Sequence, residues 1–340
     1  MSVSELLFLV FVVIAFSVIF DFTNGFHDAA NAIATSVATR ALTPPVALAM
    51  AACMNFVGAL LGTKVAETIG SGIVNITDAP ALDGLVLVLG ALIGAVVWNL
   101  ITWWFGLPSS SSHALIGGLA GAGLVTAVTV HWAAIVDKVV LPMVISPIIG
   151  FTLAYVAMKL LLALLDWRAA SYRRTMDGFR YAQTISAAAV ALGHGLQDAQ
   201  KTMGVMVLAL VAGGFHDDVA VIPLWVKLLA AGAISAGTAT GGFRIMRTLG
   251  SKLIDLDPPH GFVAETVAAG VLYTTAFLWA APISTTQTIT CAIMGVGATK
   301  SKAAVRWGTA GNIALAWIFT LPCAAAFGAL ATFLLRLVLI

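Results

Sequence analysis

The stretch Gly25-Phe26-His27-Asp28-Ala29-Ala30-Asn31 places a carboxylate and an amide in a glycine-flanked polar break between two apolar runs. A counterpart, Gly195-Leu196-Gln197-Asp198-Ala199-Gln200-Lys201, begins 170 residues after Gly25 and again sets an aspartate among polar neighbours. A polar motif that recurs in the same setting predicts a chain made of two similar halves.

The composition around these motifs is that of a membrane protein. Of the 340 residues, 60% are hydrophobic and only 9% are charged, whereas soluble domains carry roughly 25% charged residues. Because a helix needs about 20 apolar residues to cross the hydrocarbon core, the sequence predicts an all-α integral membrane protein with about ten membrane-crossing units. The net charge of +2 is too small to indicate a nucleic-acid partner.

A second motif supports the repeat. Pro108-Ser109-Ser110-Ser111-Ser112-His113 returns as Pro282-Ile283-Ser284-Thr285-Thr286-Gln287, and its offset of 174 residues nearly equals that of the aspartate motif. Repeats with polar interruptions at matching positions predict a binding site between the two halves, near the middle of the membrane.

The charges of the loops predict the orientation of the halves. The stretch 166–180 is rich in arginine and is expected on the cytoplasmic side, whereas the acidic segments 67–83 and 217–218 are expected outside. An odd number of crossings in each half would then invert the second half relative to the first and place both termini outside. The predicted organisation is a first transmembrane repeat over 1–166, a cytoplasmic linker loop over 167–180 and a second, inverted repeat over 181–340.

The two aspartates are the first candidates for a functional role. An ionised carboxylate at membrane depth costs several kcal/mol unless it meets water, a cation or a partner. Asp28 and Asp198 are therefore predicted, with the amides of Asn31 and Gln197, to hold a coupling cation or a proton. If the cation is Na⁺, Asp28 and Asp198 are the predicted metal ligands. The simpler alternative is that both carboxylates lie at the membrane edge and face water.

The hydroxyl motifs are the second candidates. Proline followed by serine or threonine predicts a helix that begins inside the membrane. The first turn of such a helix carries unpaired N–H groups and a positive dipole end, and this attracts anions. The alternative is that these hydroxyls bond back to their own helices. The predicted anion-binding residues are Ser110, Ser111, Ser112, Ser284, Thr285, Thr286, Gln200 and Lys201.

The roles of four further groups stay open at this point. Lys201 could pair with Asp198 or attract the anion. His27, His113 and His194 could carry protons or only orient the backbone.

Together these motifs resemble the inorganic phosphate transporter (PiT) family, and the first motif looks most like its bacterial low-affinity members. The resemblance covers nearly the whole chain. It implies an inverted-repeat fold with two re-entrant helical hairpins, inorganic phosphate bound between them, and symport with Na⁺ or H⁺. The family usually has Asn immediately before the second Asp, where this chain has Gln197. With His27 before Asp28, this departure favours H⁺ over Na⁺ as the coupling ion.

The leading hypothesis is therefore cation-coupled symport of inorganic phosphate by alternating access, in a multi-pass protein of the bacterial cytoplasmic (inner) membrane. The cargo would be free phosphate or a neutral metal–phosphate complex. No cofactor beyond the coupling ion is expected, membrane lipid surrounds the protein, and a homodimer is left open.

Three alternatives were weighed against this hypothesis. A sulfate or general oxyanion permease would use the same architecture, and a passive channel would need no cation gradient. An intramembrane serine hydrolase needs an activated serine and a base. Ser112 and His113 are adjacent in sequence and point to different faces of a helix, so we expect a transporter and no enzyme.

Overall fold

The structure, a computed structural model, describes residues 2–76, 79–126, 128–167 and 172–339. These ranges are helical almost throughout. Their strands are Val74–Asn75 and Thr129–Val130, which form one short antiparallel pair. The prediction of an all-α protein is confirmed.

Within the described ranges, the first half contains seven α-helices and the second half six. Those of the first half are α1 (Val3–Ala38), α2 (Pro44–Leu60), α3 (Lys64–Gly72), α4 (Ala81–Phe105), α5 (Ser111–Gly123), α6 (Trp132–Ile135) and α7 (Leu141–Trp167). A π-helical turn, Val136–Val140, joins α6 to α7. Local sequence explains several ends: Ser2 and Glu5 form a capping box at the start of α1, and Gly106 ends α4 in the left-handed conformation, with φ of 65°.

The six α-helices of the second half repeat the order of lengths. They are α8 (Tyr172–Ala212), α9 (Leu224–Thr240), α10 (Phe243–Arg247), α11 (Pro258–Thr274), α12 (Thr285–Ala298) and α13 (Trp307–Leu339). Two π-helical turns, Thr248–Lys252 and Thr275–Trp279, extend α10 and α11. Asp257 caps α11, where prolines fill the first two helical positions.

The two aspartate motifs lie within continuous helices. Asp28 is inside the 36-residue α1 and Asp198 inside the 41-residue α8, so the polar motifs do not interrupt either helix. A helix satisfies its own backbone hydrogen bonds, and the polar side chains find partners on other helices instead. The predicted linker is also partly helical, because α8 begins at Tyr172; residues 168–171 lie outside the described part of the chain.

Helices α1 and α8 run antiparallel. Thr39 on α1 donates a hydrogen bond to Gln183 on α8 (2.7 Å), and Thr202 on α8 donates one to Asp21 on α1 (2.7 Å). Residue numbers therefore fall along α8 as they rise along α1. This is the relation between counterpart helices that an inverted repeat requires.

The hydroxyl motifs form the turns of two helical hairpins. In the α4–α5 hairpin, the end of α5 returns to the start of α4, since Gly123 lies beside Leu87. In the α11–α12 hairpin, His260 near the start of α11 is 3.3 Å from the hydroxyl of Thr299 just after α12. In each hairpin the two helix ends away from the turn lie together, and the hydroxyl residues of the turn are buried.

The two halves interleave around these hairpins. Helix α5 packs against α13, and α12 packs against α7. Glycine allows the close approach: a Cβ added at Gly121 would lie 2.0 Å from the carbonyl oxygen of Ala325, and one at Gly295 would lie 2.3 Å from that of Phe151. Small residues at such crossings bring backbones together in membrane proteins. The last long helix of each half therefore holds the hairpin of the other half.

The outer surface is apolar. Five helices among the described residues are long and apolar enough to cross a membrane, and large hydrophobic side chains on α1, α7 and α13 are exposed. This confirms the prediction of an integral membrane protein. The count of about ten crossing units stays a prediction.

Candidate functional site

Helices α5 and α12 begin opposite one another at the centre of the protein. Ser110 and Ser284 are their N-caps, accepting hydrogen bonds from the backbone N–H groups of His113 (3.3 Å) and Gln287 (3.2 Å). Each cap satisfies one donor of the first turn, which leaves the earlier N–H groups without an intrahelical partner. The hydroxyl of Ser112 is 3.5 Å from the carbonyl oxygen of Ile283, so two positive helix ends face one space.

Asp28 on α1 is held by hydroxyls from both hairpins. Ser111 donates to Oδ2 (3.2 Å) and Thr286 donates to Oδ1 (3.3 Å). Asn31 donates to the hydroxyl of Thr286 (2.8 Å), and Nδ1 of His27 is 2.6 Å from Oδ1 of Asp28. The first predicted carboxylate therefore lies in the same cluster as the predicted anion-binding hydroxyls.

Asp198 on α8 has the corresponding environment. Thr285 donates to Oδ2 (3.0 Å) and Ser112 donates to Oδ1 (3.5 Å). The ammonium of Lys201 donates to Oδ1 of Asp198 and to the hydroxyl of Ser112, and to the carbonyl oxygen of Ile283 at 3.1 Å. Lys201 thus pairs with Asp198 while contacting both hairpins.

His194 lies between the two carboxylates. Its Nε2 is 3.0 Å from Oδ2 of Asp198 and 4.0 Å from Oδ2 of Asp28. Its Nδ1 is 3.1 Å from Oδ1 of Asn55, and the amide of Asn55 donates to Thr238 (2.7 Å). The Asn55 oxygen therefore faces the imidazole, and Nδ1 must carry the proton.

This orientation leaves Nε2 directed at the carboxylates. One ligand atom from each of Asp28, His194 and Asp198 lies within 4.8 Å of the others. The donor set fits a proton or a metal ion, because it combines two carboxylates with an imidazole nitrogen.

The centre is closed to solvent. The carboxylates, the hydroxyls of the two hairpin turns, Lys201 and His194 are each at most 4% exposed. Buried charges need partners, and each of these charged side chains contacts an oppositely charged or hydrogen-bonding neighbour.

Two predicted residues are not brought to this cluster. Gln197 donates to the carbonyl oxygen of Leu272 (3.3 Å) and to the hydroxyl of Thr275 (2.9 Å), both on the α11 side. Gln200 accepts from the backbone N–H of Val65 (2.9 Å) at the start of α3. His194, Asp198 and Lys201 share one helix face and meet in the cluster, whereas the hydrogen bonds of the two glutamines hold their side chains against other helices.

The structure also contains a buried carboxylate that the sequence reasoning missed. Glu265 on α11 is fully buried. It accepts hydrogen bonds from two hydroxyls of α1 and from an amide and a hydroxyl of α8, which belong to Thr35, Ser36, Gln183 and Ser186. Its position in an apolar run was the available signal, because an intramembrane carboxylate is rare without a function or partners.

His113 has a different environment from the other histidines. It is buried on α5, and its Nδ1 has no hydrogen-bond partner among the described residues. The hydroxyl of the adjacent Ser112 is engaged by Lys201 and Asp198. Ser112 and His113 therefore do not form the serine–histidine pair that nucleophilic catalysis would need.

A multi-pass helical membrane protein with two similar halves and a closed, charged centre belongs to the class of membrane transporters. Comparison with known proteins gives the particular family. The sequence profile described as "Phosphate transporter family" matches residues 24–177 and again residues 165–328. The chain belongs to this family, and the two matches agree with the two repeats.

Individual relatives agree. A protein of Rhizobium meliloti named "Probable low-affinity inorganic phosphate transporter" is 46% identical over 332 residues, covering 96% of each chain. A protein of Bacillus subtilis with the same name is 40% identical over 336 residues, covering 98% of this chain and 99% of the relative. A solved structure entitled "The sodium-dependent phosphate transporter" has a TM-score of 0.86 at 26% identity and covers 97% of this chain and 100% of its own. All are transport proteins and none is named as an enzyme.

Proposed function

We propose that this protein carries inorganic phosphate across the membrane together with a coupling cation. The observation that carries the proposal is the pair of facing helix N-termini, each bearing hydroxyl donors and each backed by a buried carboxylate. Unpaired N–H groups, helix dipoles and hydroxyls together bind oxyanions. The names of the relatives, which refer to phosphate, support this cargo.

The same hydroxyls would serve the anion and the cation site in turn. In the closed structure Ser111, Ser112, Thr285 and Thr286 donate to Asp28 and Asp198. When a cation or proton binds a carboxylate, the hydrogen bonds that it accepts from these hydroxyls become weaker. The hydroxyls can then donate to phosphate instead. The anion would also be neutralised in part by the nearby positive charge of Lys201. Binding of the two ions would therefore be mutually favourable in a site of low dielectric constant.

Phosphate fits this site better than sulfate. Phosphate near neutral pH retains a proton and can donate a hydrogen bond to Asp28 or Asp198, whereas sulfate is fully ionised and can only accept. A site with two carboxylate acceptors therefore favours the protonated anion.

The coupling ion we propose is H⁺ in preference to Na⁺. His27 and His194 place imidazole nitrogens against both carboxylates, and imidazole readily takes a proton, whereas Na⁺ is a hard ion that prefers oxygen ligands. The solved relative is sodium-dependent by its title, so Na⁺ is the specific alternative.

Transport would proceed by alternating access between the inverted halves. The antiparallel relation of α1 and α8 and the two hairpins support this, with α4–α5 and α11–α12 acting as re-entrant hairpins that open in turn to opposite sides. Relatives of bacterial origin support a bacterial cytoplasmic membrane as its location.

The test is uptake of radiolabelled phosphate by the purified protein in proteoliposomes. An imposed pH gradient, an imposed Na⁺ gradient and neither gradient are compared, each with and without excess unlabelled sulfate. We expect uptake with the pH gradient that sulfate does not suppress. Suppression by sulfate would indicate a general oxyanion permease, and equal uptake without any gradient would indicate a channel.

A further inference from the structure

We propose that the ammonium of Lys201 is a built-in cation, which permanently fills the cation position of the second half. The exchangeable coupling ion then binds only in the half that contains Asp28. This inference rests on the proposed function and specifies which of the two carboxylates takes up and releases an ion.

The first support is the set of atoms around Lys201. Its side chain is 2% exposed, and the ammonium contacts a carboxylate oxygen of Asp198, the hydroxyl of Ser112 and the carbonyl oxygen of Ile283. Ile283 lies in the non-helical stretch just before α12. A carboxylate, a hydroxyl and an unwound backbone carbonyl are the groups that hold coupling cations at interrupted helices in transporters.

The second support is the internal repeat. The aspartate motifs align Lys201 with Asn31, and the hydroxyl motifs align Ser112 with Thr286. The hydrogen bonds correspond: Lys201 donates to Ser112, and Asn31 donates to Thr286.

The hydroxyl–carboxylate contacts correspond as well. The hydrogen bond from Ser112 to Oδ1 of Asp198 (3.5 Å) matches the one from Thr286 to Oδ1 of Asp28 (3.3 Å). The hydrogen bond from Thr285 to Oδ2 of Asp198 (3.0 Å) is the counterpart of the one from Ser111 to Oδ2 of Asp28 (3.2 Å). The two sites are thus built alike, and the repeat-related position is an amide in one and an ammonium in the other.

The first half offers an unpartnered oxygen where the second half has the ammonium of Lys201. Oδ1 of Asn31 is buried and has no hydrogen-bond partner within the described ranges. It lies on the residue that donates to Thr286, whose hydroxyl also binds Asp28. An amide oxygen, a hydroxyl oxygen and a carboxylate oxygen are therefore available to an incoming cation. At Asp198 the tethered ammonium already neutralises the carboxylate, and it cannot leave with the cargo.

The simpler explanation is that Lys201 only forms a stabilising ion pair with Asp198. The two explanations differ when Lys201 is replaced by its repeat counterpart. Lys201→Asn would place an amide oxygen beside Asp198, Ser112 and the carbonyl oxygen of Ile283, and so create a position with oxygen ligands, which Na⁺ prefers. Lys201→Met would remove the charge without supplying an oxygen ligand, and Lys201→Arg would keep a fixed charge.

The experiment measures phosphate uptake and thermal unfolding of these three variants with and without Na⁺, beside the wild type in the same vesicles. We expect Na⁺ to stimulate uptake by K201N about tenfold, the size of effect that a gained ligand interaction typically has at a metal site. Na⁺ should raise the unfolding temperature of K201N and leave that of K201M unchanged. Whatever uptake K201R retains should not respond to Na⁺, and the control variant at the exposed Lys138, K138N, should behave as the wild type.

Several results would overturn the proposal. Wild-type uptake by K201N without any response to Na⁺ would show that no cation position was vacated. Equal behaviour of K201N and K201M, or a K201N protein that is unfolded both with and without Na⁺, would leave Lys201 as a structural ion pair. Because wild-type uptake is measured in the same vesicles, failure of this inference is distinct from failure of the transport function itself.

Discussion

The hydroxyl of Ser111 on α5 donates a hydrogen bond to Oδ2 of Asp28 on α1 over 3.2 Å. One donor of the proposed anion site is therefore held by the carboxylate of the proposed cation site. Because the hydroxyl has a single proton, it cannot donate to phosphate and to Asp28 at once. Under the proposed function, this shared donor would couple the loading of the two ions.

The hydroxyls should control phosphate affinity. Removing Ser111 or Thr285 (S111A, T285A) deletes a hydrogen bond to a charged group, which is worth about 1.5–3 kcal/mol. We expect the KM for phosphate to rise by about 10- to 100-fold with the protein level unchanged. The matched control is S251A, because the hydroxyl of the exposed Ser251 donates to the backbone carbonyl oxygen of Arg247, four residues earlier. Wild-type KM values in both S111A and T285A would contradict the assignment.

Glu265 should be important for stability. Glu265→Ala leaves four donors on α1 and α8 without their acceptor in a buried site, and an unsatisfied buried polar group costs about 1–3 kcal/mol. We expect a clear fall in the unfolding temperature of the detergent-purified protein. Glu265→Gln keeps one acceptor oxygen, and its unfolding temperature should fall less. Equal stability of E265A and the wild type would show that these donors find other partners.

The glycines at which each hairpin crosses a helix of the opposite half should not tolerate a larger side chain. Gly121→Ala would place a methyl group against the backbone of α13, and Gly295→Ala would do the same on α7. Overpacking of this kind costs about 1–3 kcal/mol. Gly270→Ala is the control, because a Cβ there meets nothing within 4 Å. The same thermal unfolding measurement should separate the two crossing variants from the control.

Asp257, the N-cap of α11, should make the free energy of unfolding depend on pH. Burial opposes ionisation of Asp257, but hydrogen bonds from His260 and Lys300 hold the pKa of that carboxyl well below its usual range. A lowered pKa in the folded state contributes stability above the unfolded pKa of about 4, and this contribution is lost as the pH falls further. Asp257→Asn should therefore destabilise the protein near neutral pH, and the difference from wild type should shrink in acid. A difference that does not change with pH would exclude this ion pair as its cause.

Much of the fold could be predicted because its causes are local or repeated. The low charge content and the recurrence of the Asp28 and Asp198 motifs at nearly the offset of the Pro108 and Pro282 motifs are visible without coordinates. The continuity of α1 and α8 through these polar motifs could not be predicted, because the polar side chains find their partners on other helices. Their partners come from hairpins about 80 to 260 residues away in sequence, as for Asp28 with Ser111 and Thr286.

The centre of the site was less accessible to sequence reasoning. Gln197 and Gln200 were chosen for being near Asp198 in sequence, but the helical turn points them to α11 and α3. The place of His194 between the carboxylates depends on Asn55, which fixes the ring from α2. Such a relation between three helices has no signature in a single sequence.

Proton entry with phosphate is the most direct test of the account. Proteoliposomes with a trapped pH-sensitive dye receive phosphate without any imposed gradient, and internal acidification is recorded for the wild type, for Asp28→Asn and for the exposed Asp166→Asn. The account predicts more acidification per phosphate taken up than dissociation of the entering phosphate supplies; this excess is retained in D166N and lost in D28N, because a neutral amide cannot take up a proton. Phosphate entry without this excess, or an excess that persists in D28N, would contradict proton-coupled phosphate transport through Asp28.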